Sequence, residues 1–434
     1  MFRLPLFRSP ILCWMTSTVW VCLFATLPSA RSADNTPPER SMYHADAQHL
    51  WNRLYEALFV RVGQDARTYG RDRLDPLLWP ETRYLLEFPD HDRAVKVLNE
   101  FVDNHGEQLI EEPLKRAVLQ RDLWLVFNWL QKSELHGVPR GTPVENRDEA
   151  KQRWRDTQKR LRQPLVEVIR RLALTPDQIS ILPDNYAAAV ASGEFAKQFD
   201  LERPNQPFLP ADLFATDGPW VCVGADDGPV APEHQCEDRG NPVPNSAFLV
   251  FLKLPEGRAA TLAYLKEPRP FLAGTEVALV RRTLLVTSSH TVVPTALTEN
   301  IQLRVYRERS EQSVSEFRWS RPLLFANRHG GLRPVGADER DFKTGFSAHP
   351  GDELEYSYPG QTWDGTRRTR PILADCRGCH NSRFFDFKTA TSNNTGSRRA
   401  VFLFEISLSD ALSKDVKRKQ QSPDWSALQK LLSP

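Results

Sequence analysis

Methionine and cysteine are scarce in this 434-residue chain, with three and six copies. Charge of either sign is not in excess. Lys and Arg total 57 against 55 Asp and Glu, and Arg3 and Arg8 in the first thirty residues make up that whole difference. A balance this even excludes a nucleic-acid binder, which needs surplus cations to collect phosphates. After the first thirty residues no apolar run is long enough to cross a bilayer. No internal repeat of fixed period, no low-complexity segment and no G-x-S-x-G nucleophile motif occurs. What is present, 40% apolar residues with 10% aromatics, excludes wholesale disorder, and the length allows two or three domains with a sizeable core.

Arg3 and Arg8 precede an apolar stretch from Ile11 to Leu27, followed by the small residues Ser29 and Ala30. That is the order of a secretory signal over residues 1–30, cleaved after Ala30. Retention of the segment as a membrane anchor is the alternative, and only then would a membrane be a partner. Neither Cys13 nor Cys22 lies in a lipid-attachment context. The exported chain keeps Cys222, Cys236, Cys376 and Cys379. In an oxidising compartment such as the periplasm, Cys222 and Cys236 either close a short disulfide loop or stay as separate buried thiols.

The pattern predicts an α+β protein: a helical domain over 31–205, an antiparallel β domain over 206–350, sandwich or barrel-like, and a segment 351–434 that completes it. Leu50, Leu54, Leu58 and Val62 repeat at helical spacing up to Gly63. Further helices are predicted over 92–106, 113–130 and 146–172, the last with an interruption at Pro164. The run Thr175-Pro176-Asp177-Gln178 spells a capping box with proline at the first helical position. The basic residues Arg153, Arg155, Lys159, Arg160 and Arg162 read as a solvated helix face rather than a docking surface. From Arg203 to Pro210 prolines cluster and the helical period ends. Ile301, Leu303 and Val305 then alternate with Gln302, Arg304 and Tyr306, and Phe317 and Trp319 with Arg318 and Ser320, as in half-buried strands. The runs 248–252, 277–286 and 401–406 are more continuously apolar and suit central strands.

The strongest local signal is Cys376-Arg377-Gly378-Cys379-His380, a C-x-x-C-H pentapeptide. Chance would place one in roughly one such chain in a thousand. The spacing of the thiols matches the two vinyl groups of a porphyrin, and the adjacent imidazole is placed to ligate the iron. A redox dithiol or a metal site completed by distant ligands are the other chemical readings. In these five residues the chain resembles the c-type cytochromes. The resemblance implies one covalent haem c, thioether bonds at Cys376 and Cys379, and proximal ligation by His380. It does not supply the second axial ligand. No Met or His follows His380, and Met42 is the one methionine after the signal. His349, His329, Met42 and His44 are the candidates, or the iron is five-coordinate.

Arg367, Arg368, Arg370, Arg377, Arg383, Arg398 and Arg399 surround the motif and suit haem propionates, or form an exposed basic loop. Phe384, Phe385 and Phe387 could cover a porphyrin face or pack in the next strand. Ser288-Ser289-His290 lacks the strand–turn–helix context of a nucleophile, and the acidic residues Asp226, Asp227, Glu233, Glu237 and Asp238 fit a solvated loop as well as a calcium site. The sequence therefore points to an exported single-haem electron carrier in which a late loop of the β domain carries the cofactor, with no catalytic residues of its own and a redox partner protein of unknown identity. The rivals are a haem enzyme or sensor with an open iron site, acting on peroxide or a diatomic gas, and an exported binding protein with an accessory haem.

Overall fold

The computed structural model describes residues 41–62, 68–69, 89–132, 147–226, 228–231, 234, 244–267, 271–307, 312–339, 371–380 and 403–433. Thr36–Pro434 form one compact unit. Residues 1–40, Cys236 and residues 340–370 and 381–402, which include His349, lie outside the described residues.

Helices come first, as expected: α1 Leu50–Phe59, α2 Asp90–Asp103, α3 Pro113–Lys132, α4 Arg147–Leu172, α5 Pro176–Ser180 and α6 Asn185–Ala191. The capping box at Thr175 forms: its hydroxyl accepts from Gln178 N at 3.2 Å, and Gln178 Oε1 accepts from Thr175 N at 3.0 Å. The predicted interruption at Pro164 does not occur, and α4 runs through it. Proline there removes one backbone hydrogen bond and crowds the preceding turn. Burial of Leu161, Leu165, Val168, Ile169 and Leu172 on the core-facing side keeps the helix continuous.

A short hairpin, β1 Arg61–Val62 with β2 Thr68–Tyr69, stands apart from the main sheet. The main sheet contains β3 Val221–Ala225, β4 Ser246–Lys253, β5 Glu276–Val286, β6 Val292–Tyr306, β7 Gln312–Trp319, β8 Leu332–Pro334 and β9 Leu403–Glu405. Its spatial order is β8-β7-β6-β5-β4-β3-β9, every pairing antiparallel. Helices, rather than a second sheet of similar size, cover it on both sides. These are α7 Arg258–Lys266, α8 Arg321–Phe325, α9 Ile372–His380, α10 Leu408–Gln420 and α11 Pro423–Leu432, with α1–α6.

Alternation along the strands sorts the core into two faces. Leu249 and Phe251, Ala278 and Val280, Ile301 and Leu303, and Phe317 and Trp319 face the α6 side, where the sheet also joins the core of α1–α4 through Ala247, Leu284 and Val286. Phe248 and Val250, Val277 and Leu279 face Tyr264 of α7. The register Leu252↔Val277↔Arg304↔Val314 puts Val314, and with it the contact with α9, on the α7 side as well.

The helices and strands thus share one core. Gln120 of α3 bonds both backbone groups of Val286, donating to its O at 2.9 Å and accepting from its N at 3.1 Å. Beside it, Arg121 donates to Glu299 of β6 at 2.8 Å and Asp122 is gripped by Arg321 at 2.7 Å. All four charges are within 2% of full burial.

Candidate functional site

The C-x-x-C-H motif ends α9, so it lies on a helix and not on the loop expected from the sequence. Pro371 precedes the first turn, and the Ile372 amide donates to the Glu339 carbonyl at 2.9 Å. Ile372, Leu373 and Cys376 then bury their side chains on Val314 of β7 and Val335. Cys376, Cys379 and His380 all fall within α9.

Beneath α9 the sheet is polar. Glu316 of β7 is 1% exposed, and its Oε1 accepts from Asn300 Nδ2 and from Arg318 Nε, both at 2.9 Å. Its Oε2 accepts from the Cys376 thiol at 3.8 Å. One carboxylate therefore joins the first cysteine of the motif to a buried guanidinium. Arg318 is 5% exposed, and its Nη1 and Nη2 find no acceptor. A second acid, Glu339, is 3.8 Å from Nη1 and is already forked by Arg333 at 3.0 and 2.9 Å. Burial pushes the Glu339 carboxyl up, but its bonds to Arg333, with the charges of Arg333 and Arg318, bring it below its ordinary value. Buried donors left without acceptors cost about 1–3 kcal/mol each, so the end of Arg318 is an open demand for an anion.

Sequence alternation misplaced this face. Gln302, Arg318 and Ser320 read as the solvent side of half-buried strands, yet they are 2%, 5% and 5% exposed. The signal in the sequence is the pair Glu316 and Arg318, opposite charges two residues apart on one strand face, which marks a face able to neutralise itself under cover.

The other named residues are distributed as follows. Met42 is buried in the core built from α1–α4, on the far side of the sheet from Cys376. His329 edges onto Phe195, which edges onto Phe317. Phe317 neighbours Glu316 in the strand and so points away from α9, which leaves His329 on the far side too. His44 stacks on His49 with ring centroids 4.2 Å apart, and its Nδ1 accepts from Asp46 N at 3.1 Å. Cys222 is a free, buried thiol on the α6 face of β3. The structure therefore brings Glu316, Arg318 and Asn300 to Cys376, and does not bring Met42, His44 or His329 there.

Ser288, Ser289 and His290 form the β5–β6 turn, where the Thr287 hydroxyl bonds Ser289 and Thr291 at 2.9 and 2.8 Å. Of the acidic loop, Asp226 is exposed, and Asp227, Glu233, Glu237 and Asp238 lie outside the described residues. So do Arg367, Arg368, Arg370, Arg383, Arg398, Arg399 and the three phenylalanines after His380, while Arg377 is half-buried on α9. Among the described residues no group of three or more His, Cys, Asp or Glu is disposed to hold a metal ion, and no helix is long and apolar enough to cross a membrane.

The residues present fit a covalently held haem in two respects. Two thiols and an imidazole follow attachment spacing on a helix, and the first sulfur lies beside buried guanidinium nitrogens that lack an acceptor. Comparison with protein-family models, with curated proteins and with solved structures finds no match.

Proposed function

We propose that the protein is an exported c-type cytochrome with a single haem, acting in electron transfer. The observation that supports this best is the placement of Cys376: a motif cysteine at the helix–sheet interface, its sulfur on a buried carboxylate, beside a buried cation with free donors. Cys376 and Cys379 would hold the macrocycle by thioether bonds and His380 would ligate the iron. When bound, the haem supplies a one-electron couple at its iron. The chain's part is to orient and enclose. Before attachment Glu316 holds the Cys376 thiol, Arg318 and Asn300 hold Glu316, and the cover of α9 on β7 keeps water from Glu316 and Arg318, which raises the influence of each fixed charge on the potential.

Covalent haem is tested by a pyridine haemochrome spectrum and an intact mass on protein made with haem-attachment machinery. A haemochrome of the two-thioether type and a mass raised by one haem are expected. A colourless product with the mass of bare polypeptide overturns the reading.

The placement of Met42 and His329 beyond the sheet supports a second reading, a haem enzyme or sensor with an open iron position. A ferric spectrum that is low-spin and unmoved by cyanide or azide supports the carrier, and a high-spin spectrum that responds to them supports the open site.

A further inference from the structure

We infer that Arg318 is a carboxylate-binding residue which anchors an acidic side chain, a propionate, of the group tethered at Cys376. This assignment rests on the haem reading and deepens it. The guanidinium is 5% exposed; its one hydrogen bond is from Nε–H to Glu316 at 2.9 Å, and Glu339 stands 3.8 Å from Nη1. The terminal nitrogens, the pair that forks a carboxylate, have no acceptor. Among the described residues, the two acids beside it are engaged. Glu316 carries Asn300, Arg318 and the Cys376 thiol, and Glu339 carries Arg333. These two acids and two arginines balance in charge, so an added anion is not repelled by a local excess of acid.

Position favours the same ligand. Arg318 Nε and the Cys376 thiol contact the two oxygens of one carboxylate, so the fork and the attachment sulfur share one buried face of the sheet. The sheet face between them is buried and polar, with Gln302 and Asn300 at 2% exposure. Asn300 pairs directly with Arg318 across the strands, and its Oδ1 also lacks a partner. An apolar ligand would leave these groups unsatisfied, whereas a macrocycle with an acidic edge meets the demand at Arg318.

The test uses the full chain loaded with haem, comparing the unaltered protein with Arg318→Gln and Arg318→Lys. The midpoint potential is measured between about pH 5 and about pH 8, the range into which burial without a cation raises a carboxylate that ordinarily titrates at about 4. Denaturant midpoints are measured for each form with haem and in the Cys376→Ser/Cys379→Ser background without it. Arg318→Gln is expected to lower the potential, to make it fall as pH rises through this range, and to lower the unfolding midpoint more with haem than without. Arg318→Lys, which keeps the charge but not the fork, is expected to restore most of the potential and only part of the midpoint. Equal losses of stability with and without haem, with an unchanged potential profile, overturn the assignment while leaving the haem in place. Unaltered protein that acquires no haem overturns the haem reading and this assignment together.

Discussion

At Gly330 the backbone has φ of 58°, and a β-carbon added there would lie 1.9 Å from the Asn185 carbonyl oxygen and 2.6 Å from the Ala189 amide nitrogen. Both obstacles are backbone of α6, so neither can swing aside. Gly330→Ala is expected to lower stability by at least about 3 kcal/mol, through strain at positive φ together with overpacking, read as a shift in the urea midpoint. Gly330 lies two residues before β8, which supplies Arg333, so the same substitution should loosen the grip on Glu339. Cys222 makes a different claim. Burial, with the Asp415 charge a lesser cause, pushes its thiol up to about 12, and a thiol without thiolate is a poor nucleophile. Iodoacetamide at neutral pH is expected to label Cys222 only after unfolding, followed by peptide mass.

At the scale of elements, helix ends carry specific chemistry. Loss of the Thr175 cap in Thr175→Ala removes the acceptor for the Gln178 amide and should cost about 1 kcal/mol. α1 has a cap that titrates. His49 Nδ1 accepts from Trp51 N at 3.3 Å, which requires that nitrogen to be unprotonated. Burial first, and the His44 ring second, hold His49 below its ordinary value. The folded chain then binds fewer protons than the unfolded chain as pH falls past about 6.5, so stability is full above that value and declines below it. His49→Asn keeps a capping acceptor that does not titrate, and thermal melts between about pH 5 and about pH 7 should lose that part of the slope. The strands show where pattern reading reaches its limit. Ile301, Leu303, Val305, Phe317 and Trp319 were legible as one buried face from their alternation. Burial on the face of Glu316 and Arg318 was not legible, because α9, which packs on β7 there, comes more than fifty residues further along the chain.

For the whole molecule, the C-terminal helices are part of the first core. Trp425, Leu428 and Leu432 of α11 pack among residues of α1, α2, α3 and α4. Lys419 of α10, fully buried, is paired with Asp424 of α11 and lies 5.0 Å from the centroid of the Trp124 ring in α3. With its amide turned to suit both, Asn128 donates to Asp424 at 3.2 Å and accepts from Lys419 at 3.0 Å. Asp424→Asn leaves a buried ammonium without its counterion and is expected to cost about 3–5 kcal/mol, measured by denaturant unfolding. Burial brings Lys419 down to about 8, against the pull of Asp424. Between that value and the ordinary lysine value near 10.5 the unfolded chain holds the extra proton, so stability rises with pH across the window, by at most about 1.4 kcal/mol per unit. Lys419→Met should flatten this part of the pH profile of the melting temperature.

From the sequence alone came the order of helices before strands, the α+β class, the Thr175 capping box and the C-x-x-C-H spacing. Each of these depends on residues within a turn or two of one another, where backbone geometry fixes which side chains are neighbours. Tertiary structure alone decided which face of the sheet receives α9, that Met42 and His329 stand on the other face, and that Glu316 and Arg318 meet Cys376. Those contacts join β7 to a helix far along the chain, and such pairings are selected by the burial of whole faces rather than by any local rule.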